Sequence, residues 1–176
     1  MRSGKGKRRD RKRRLFEYRV AKYDPAYRDW RGAYTREEWT AACQVGRVIG
    51  SNLLTPEEYA CVENAYVAVA LAFVHEAGGL KLRASGVENP GHSLLAPNEG
   101  ERVREPRLGD LIRQLLREEF WCRLEGRRAF LHFGWDYYMY VGVARLCPKA
   151  HELAAALGLF VEEFASPYYA APESSP

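Results

Sequence analysis

The alternation of apolar and polar side chains is clearest between residues 128 and 143, RAFLHFGWDYYMYVGV. Odd-numbered positions carry residues typical of a protein core, and even-numbered positions carry aromatic residues, polar residues or glycine. A period of two predicts β-structure with one buried face. Because the stretch is longer than a usual strand of about five or six residues, we expect a bulge or tight turn at 134–136. The core set is Leu131, Phe133, Trp135, Tyr137, Met139, Val141 and Val143, and the other set is Phe130, His132, Gly134, Asp136, Tyr138, Tyr140 and Gly142.

Local signals predict three elements in the first half of the chain. Residues 15–23 alternate as a strand, which Asp24-Pro25 ends. The spacing Thr35-x-x-Glu38 is that of a capping box and predicts a short helix toward Val45. The run TPEE at 55–58 combines a capping residue, a proline at the first helical position and acids in the first turn. It predicts the start of a long helix.

From residue 80 onward the predicted order is strand, helix, strand, strand, helix, strand. This is the order of the ferredoxin-like split βαβ fold. We therefore expect an α+β domain over residues 15–168 with a ferredoxin-like core at about 80–164. The N-terminal strand and two helices would pack on the sheet or extend it. Residues 88–106 are predicted to form a long loop, and residues 169–176 a flexible tail.

Charge is segregated along the chain. Residues 1–14 hold nine Lys or Arg and one Asp, for a net charge of +8, whereas the remaining residues hold 18 basic and 22 acidic side chains. With almost no apolar residue, the first segment is predicted to be a disordered basic arm. Attachment to nucleic acid is one interpretation; a solubilising tail and a wrongly assigned start codon are the others. The arm residues considered for nucleic acid are Arg8, Arg9, Arg11, Lys12, Arg13 and Arg14.

Composition narrows the class of protein. No window has the apolar length of a membrane span, and no apolar segment of a signal peptide follows the basic start. The cysteines are widely spaced in a chain long enough to form a core without disulfides. Reduced thiols in a cytoplasmic protein are the simplest interpretation. The four cysteines are Cys43, Cys61, Cys122 and Cys147.

Evidence for catalysis is weak. The set Cys122, His132, Cys147 and His151 lacks the paired spacing of structural zinc sites, so no metal is predicted. No P-loop, dinucleotide glycine pattern or nucleophile elbow is present, and no cofactor or catalytic residue is predicted. His132 and Asp136 share a strand face, and only a bend would bring them into hydrogen-bond range. Cys147 precedes a predicted helix, whose N-terminus can lower a thiol pKa. An enzyme is the minority interpretation.

Two binding functions remain. The segment 129–133 resembles the second half of the aromatic signature of RNA-recognition motifs, which stack bases on exposed strand aromatics. The first half of that signature is absent, and the companion strand 81–87 has no aromatic residue. Nucleic-acid binding by the arm and an aromatic sheet face is therefore the alternative. Binding of another protein is favoured, because aromatic and polar side chains together are typical of interface hot spots. The predicted partner-binding residues are Phe130, His132, Asp136, Tyr138 and Tyr140, and residues 23–30 add aromatic anchors.

Several short motifs together resemble an uncharacterised family of small bacterial α+β proteins. They are YRVxKYDP at 18–25, EWT at 38–40, TPEEY at 55–59, WCxLE at 121–125, HFGxDYYMY at 132–140 and GLFVE at 158–162. The resemblance covers roughly residues 18–168. Similar small cytosolic proteins often neutralise toxins as immunity proteins, so it implies a protein partner of that type. It implies no catalytic residue, and the arm is an addition to the family pattern.

Overall fold

A computed structural model describes residues 15–168; the predicted arm 1–14 and the predicted tail 169–176 lie outside the described residues. The α+β class is confirmed: three α-helices accompany a seven-stranded antiparallel sheet. The strands are β1 (Phe16–Ala21), β2 (Val48–Ile49), β3 (Asn52–Leu53), β4 (Leu82–Glu88), β5 (Arg102–Val103), β6 (Trp121–Gly126), β7 (Ala129–Phe133), β8 (Met139–Val143) and β9 (Phe160–Glu163), and the helices are α1 (Pro56–Glu76), α2 (Glu105–Leu116) and α3 (Pro148–Ala156).

The order of strands in the large sheet is β5-β4-β6-β7-β8-β1-β9, and β2 and β3 form a separate hairpin. The predicted ferredoxin-like split βαβ arrangement is not confirmed. Strands β4 and β6, which α2 connects, are direct antiparallel neighbours, whereas a split βαβ unit places another strand between two parallel ones. The N-terminal strand causes a further departure, because β1 lies between β8 and β9 and pairs with both.

Helix α1 begins where the sequence predicts. The hydroxyl of Thr55 accepts a hydrogen bond from the backbone N–H of Glu58 at 3.1 Å, and Pro56 occupies the first turn. The helix packs against α2, α3 and β8. Its 21 residues span roughly 30 Å, about the length of a small domain. No helix within residues 15–168 is long and apolar enough to cross a membrane.

The helix predicted at 35–45 does not form. Only the single 3₁₀ turn Ala42–Gln44 is present in this segment. Both side chains of the expected capping box have tertiary partners instead. The Thr35 hydroxyl donates to the carbonyl of Tyr27 at 2.7 Å, and the Glu38 carboxylate binds Lys22 and Tyr34. Hydrogen bonds to residues outside the expected helix have therefore replaced the local cap.

A buried carboxylate joins α1 to α2. The Glu63 side chain is only 2% exposed and accepts hydrogen bonds from Arg117 Nε at 2.7 Å and Nη2 at 2.8 Å. Arg113 Nη1 and the Tyr59 hydroxyl, each at 3.2 Å, complete its shell. Burial alone would raise the pKa of Glu63, but the hydrogen bonds and charge of Arg117 hold this pKa below its ordinary value.

The two ends of the sheet have different loops. At one end, the turn between β7 and β8 lies beside the segment that follows β1, because Phe133 pairs with Met139 and Met139 with Val20. At the other end lie the β6–β7 turn and the start of β1, since Phe16 pairs with Val143 and Val143 with Ala129. These two ends carry the surfaces discussed below.

Glu63→Gln is expected to lower the free energy of unfolding at pH 7 by about 1 to 3 kcal/mol, because Arg113 and Arg117 lose the buried carboxylate that they contact. Because the pKa of Glu63 is lower in the folded state, its ionised carboxylate stabilises the fold at pH values above the unfolded-state pKa of about 4.3. This stabilisation is lost as the pH falls through the folded-state pKa. The difference between wild type and variant should therefore shrink below about pH 4. Urea unfolding at a series of pH values measures it. The exposed Glu152→Gln serves as control, and a pH-independent difference would contradict the ionic role of Glu63.

Candidate functional site

The stretch 128–143 forms two strands joined by a tight turn at 134–138, so the expected interruption is present. Gly134 N–H donates to Tyr138 O at 2.8 Å across the turn. Six members of the predicted core set are buried, and Trp135 is the exception with 57% of its surface exposed. Trp135 lies in the turn, where the period of two no longer determines which way a side chain faces.

The opposite face holds the five predicted partner-binding residues, and the structure leaves only two of them accessible. Phe130, His132 and Tyr140 are buried. Asp136 is exposed, and Tyr138 is partly exposed. The alternation correctly divides the strands into two faces, but it does not reveal that the second face is covered as well.

The segment 164–168 packs over that second face. The Tyr168 ring centroid lies 5.8 Å from that of Tyr140 and 5.6 Å from that of Trp121. Ser166 Oγ is 2.8 Å from His132 Nδ1, and its backbone N–H donates to Glu17 at 3.3 Å. The aromatic residues of the face are thus packed against the protein's own chain.

His132 is fully buried in this layer. Its Nδ1 faces Ser166, and its Nε2 lies 3.5 Å from Glu125, whose carboxylate is also 3.6 Å from Arg123. Burial lowers the pKa of His132 to about 3, and the charge of Arg123 adds to the effect. Glu125 would favour the imidazolium, but Arg123 offsets its charge, so the loss of water dominates. At neutral pH the ring is uncharged and faces Ser166 and Glu125 rather than Asp136, which gives the proposed acid–base pair no support.

Phe130 packs directly over Gly142 on the neighbouring strand. A Cβ atom at Gly142 would lie 2.1 Å from the Phe130 ring, far inside van der Waals contact. The Phe130 ring also stacks on His132, with centroids 4.4 Å apart. Gly142, predicted only as part of the polar face, therefore leaves the room that the Phe130 ring occupies.

The turn 134–138 is held by two tyrosine hydroxyls, that of Tyr23, which the sequence nominates as an aromatic anchor, and that of Tyr66, which it does not single out as a site residue. Tyr23 OH donates to Asp136 O at 2.8 Å, and Tyr66 OH donates to Tyr137 O at 2.6 Å. The Tyr66 oxygen also accepts from Lys22 N–H at 2.8 Å, which ties α1, β1 and the turn together. The non-glycine residue Tyr137 has φ +62°, so tertiary contacts stabilise a backbone conformation that L-residues seldom adopt.

An open depression of about 260 Å³ lies beside this turn. Glu38, on its wall, accepts hydrogen bonds from Tyr34 OH at 2.5 Å and Lys22 Nζ at 2.9 Å. Burial would raise the pKa of Glu38, but these two donors hold it below its ordinary value, so Glu38 is ionised at neutral pH. Loss of water instead raises the pKa of Asp136. The lining residues are Tyr23, Tyr34, Arg36, Glu38, Thr40, Asp136 and Tyr138.

Two tryptophans project from the loops at this end of the sheet. Trp30 is 85% exposed and lies in a turn in which the Asp29 carboxylate accepts from the N–H groups of Arg31 and Ala33 at 2.8 and 2.9 Å. Trp135 projects from the turn that Tyr23 and Tyr66 hold. We call the surface formed by residues 22–40 and 134–138 the aromatic end. Sequence analysis included Trp30 among its anchors but assigned Trp135 to the core.

The structure does not assemble the candidate metal or thiol sites. Cys122 faces the helices with the main core, whereas His132 lies on the other side of the sheet. Within residues 15–168, no group of three or more His, Cys, Asp or Glu side chains could hold a metal ion. Burial raises the pKa of the Cys147 thiol, and nearby Glu76 adds to this effect, contrary to the lowering expected near a helix N-terminus.

No family model matches the chain, and no curated protein or solved structure matches it either. The resemblance to a family of small bacterial proteins therefore stays a prediction from the sequence motifs. The function must be inferred from the geometry.

Gly142→Ala is expected to lower the free energy of unfolding by about 1 to 3 kcal/mol, because its methyl group overlaps the Phe130 ring. Adding Phe130→Leu should recover part of that loss by making room. Thermal and urea unfolding measure both variants. Gly91→Ala, which has open space around the new methyl group, is the matched control. Equal stability of wild type and Gly142→Ala would show that the two strands do not pack in this way.

His132→Asn should reduce the dependence of stability on pH between about 6.5 and 4. A lowered folded-state pKa stabilises the fold above the unfolded-state value and loses this effect as pH falls toward about 3. In wild type the unfolded chain therefore binds up to about one more proton at this residue, and Asn removes that difference. Unfolding titrations across this range give the slope. The exposed His92→Asn is the control, and an unchanged slope for His132→Asn would contradict a buried neutral ring.

Proposed function

We propose that this protein is a non-enzymatic protein-binding module whose contact surface is the aromatic end. The observation that carries this proposal is the display of Trp135 and Asp136 on a turn held by the hydroxyls of Tyr23 and Tyr66, beside an open depression. A rigid turn loses little conformational entropy when a partner binds, so its exposed aromatic ring retains more of its contact energy.

The chemistry of the surface supports a protein partner. Exposed tryptophan and partly exposed tyrosine are enriched at interface hot spots, where rings fill pockets on the partner. Glu38 and Asp136 add carboxylates to the depression, while the Arg36 guanidinium lies over the Tyr27 ring at 3.1 Å. A partner with a basic side chain between apolar ones would complement this arrangement.

The predicted contact residues divide into two groups on this proposal. Asp136 and Tyr138 line the depression and make contact with the partner. Phe130, His132 and Tyr140 are buried behind it and support the hairpin from below. Substitutions of the buried group would therefore act through folding, whereas those of the exposed group would act on binding.

The partner we propose is a protein toxin that this chain neutralises, as immunity-type proteins do. The basis is the motif resemblance together with a surface suited to protein contact. The proposed location is the cytoplasm, because Cys43 and Cys61 are free and exposed, and exposed thiols persist in reducing compartments. The second candidate is nucleic-acid binding, which basic side chains at the opposite end of the sheet favour.

The test uses the protein encoded by the adjoining gene as the probe. Trp30→Ala and Trp135→Ala should each weaken its binding by about 30-fold or more, the loss typical of a hot-spot residue, while the melting temperature stays near that of wild type. Isothermal titration calorimetry measures the affinity, and survival of cells that express the probe reports neutralisation.

Leu146→Ala is the matched control, because Leu146 is an exposed apolar residue in the loop between β8 and α3, away from the aromatic end. It should bind the probe as wild type does. Undiminished binding by both tryptophan variants would rule out the aromatic end as the contact surface.

A further inference from the structure

Basic side chains gather at the end of the sheet opposite the aromatic end. The loop between α1 and β4, the turn between β6 and β7 and the loop after β8 enclose an open pocket of about 310 Å³. The charged residues that line it are all basic: Lys81, Arg127, Arg128 and Arg145. We call these four residues the basic end.

The backbone brings these loops together closely. A Cβ atom at Gly126 would lie 2.5 Å from the carbonyl oxygen of Lys81, so only a glycine lets the β6–β7 turn approach that strand. Gly78 has φ +91°, and the Arg145 guanidinium lies 3.6 Å from the position of its missing Cβ. Glycine at position 126 therefore allows the turn that carries Arg127 and Arg128 to lie against Lys81, while glycine at position 78 adopts a backbone conformation that other residues rarely take.

The acidic side chains near the basic end contact other groups, and the four basic side chains form no ion pair or side-chain hydrogen bond within residues 15–168. Glu76 accepts hydrogen bonds from the N–H groups of Lys149 and Ala150, while Glu105 lies 3.4 Å from His75 Nε2. Glu125 faces Arg123. In residues 15–168, by contrast, no ion pair or hydrogen bond engages the charged groups of the basic end, and all four side chains are exposed. Their positive potential is therefore directed into solvent.

The N-terminal segment joins the described chain at this same end. Phe16 pairs with Val143 and Val143 with Ala129, which directly follows the β6–β7 turn. Two interstrand spacings of about 4.8 Å therefore separate Phe16 from β7, which directly follows Arg128. The described part of the chain thus begins beside the basic end, and the sequence that precedes it has a net charge of +8.

We infer that the basic end binds the phosphate backbone of a nucleic acid. Cations spread over three loops of an open pocket fit a polymer with regularly repeated phosphates better than a single small anion. Three of the four pocket cations are arginines, whose planar guanidinium can bind phosphate oxygens in pairs. This site is separate from the aromatic sheet face considered from the sequence, and it does not depend on the proposed protein partner.

The test measures the affinity of the full chain for a fluorescent 20-base-pair DNA duplex by anisotropy at several salt concentrations. Each lost phosphate contact reduces the slope of log K against log[salt] by about 0.9. Arg127→Ala/Arg128→Ala/Arg145→Ala should therefore reduce the slope by about 2 to 3 and weaken binding at least tenfold at moderate salt. The same positions changed to Lys should keep most of the wild-type slope, because the charge is retained.

Arg31→Ala/Arg36→Ala/Arg47→Ala is the matched control, since it removes the same charge from exposed arginines of segments remote from the basic end. It should leave the slope within about one of wild type. Equal losses in the two triple variants would overturn the inference, as would an unaltered slope in the first. The inference would also be overturned if wild type bound vesicles with 30% phosphatidylserine as tightly as it binds the duplex, and if the first triple variant lost both kinds of binding equally. Arg127→Ala/Arg128→Ala/Arg145→Ala should bind the protein probe as wild type does, which separates this result from the test of the aromatic end. The control variant is compared on the duplex only, because Arg36 lines the depression of the aromatic end.

Discussion

The structure depends on covering both faces of one antiparallel sheet. Three helices pack on the face that presents Leu131, Met139 and Val141, and the chain after β9 packs on the other. When a strand is covered on both sides, neither of its faces is accessible to a binding partner, whatever the alternation of its residues. The aromatic residues of the second face therefore contribute packing energy, and contact with other molecules falls to the loops at the ends of the sheet.

Helix α1 links those two ends. Near its middle, the hydroxyl of Tyr66 fixes the turn 134–138, and Glu63 joins the helix to α2. Beyond its C-terminus, Gly78 adopts φ +91° and lines the pocket of the basic end. A buried polar group needs hydrogen-bond partners in the folded state. The contacts of Tyr66 and Glu63 therefore fix the relative positions of their elements more sharply than apolar packing would.

The ends differ in chemistry as well as in position. The aromatic end combines exposed tryptophans with the carboxylates of Glu38 and Asp136, while the basic end carries four unopposed cations. The net charge of the chain, +4, hides this separation. On these proposals a protein partner and a polyanion would meet surfaces at opposite ends of the sheet, so binding of one need not exclude the other.

The sequence by itself determined the features that neighbouring residues control. Thr55 and Pro56 start α1, the period of two divides residues 129–143 into two faces, and the interruption near 134–136 is the turn. Only the tertiary structure decided the strand order, the loss of the helix at 35–45 and the covering of Phe130, His132 and Tyr140. Those outcomes depend on pairs far apart in the chain, such as Phe16 with Val143 and His132 with Ser166. A local pattern records which side of a strand a residue faces, but whether water or another segment lies on that side depends on contacts with residues far beyond the local pattern, as between His132 and Ser166.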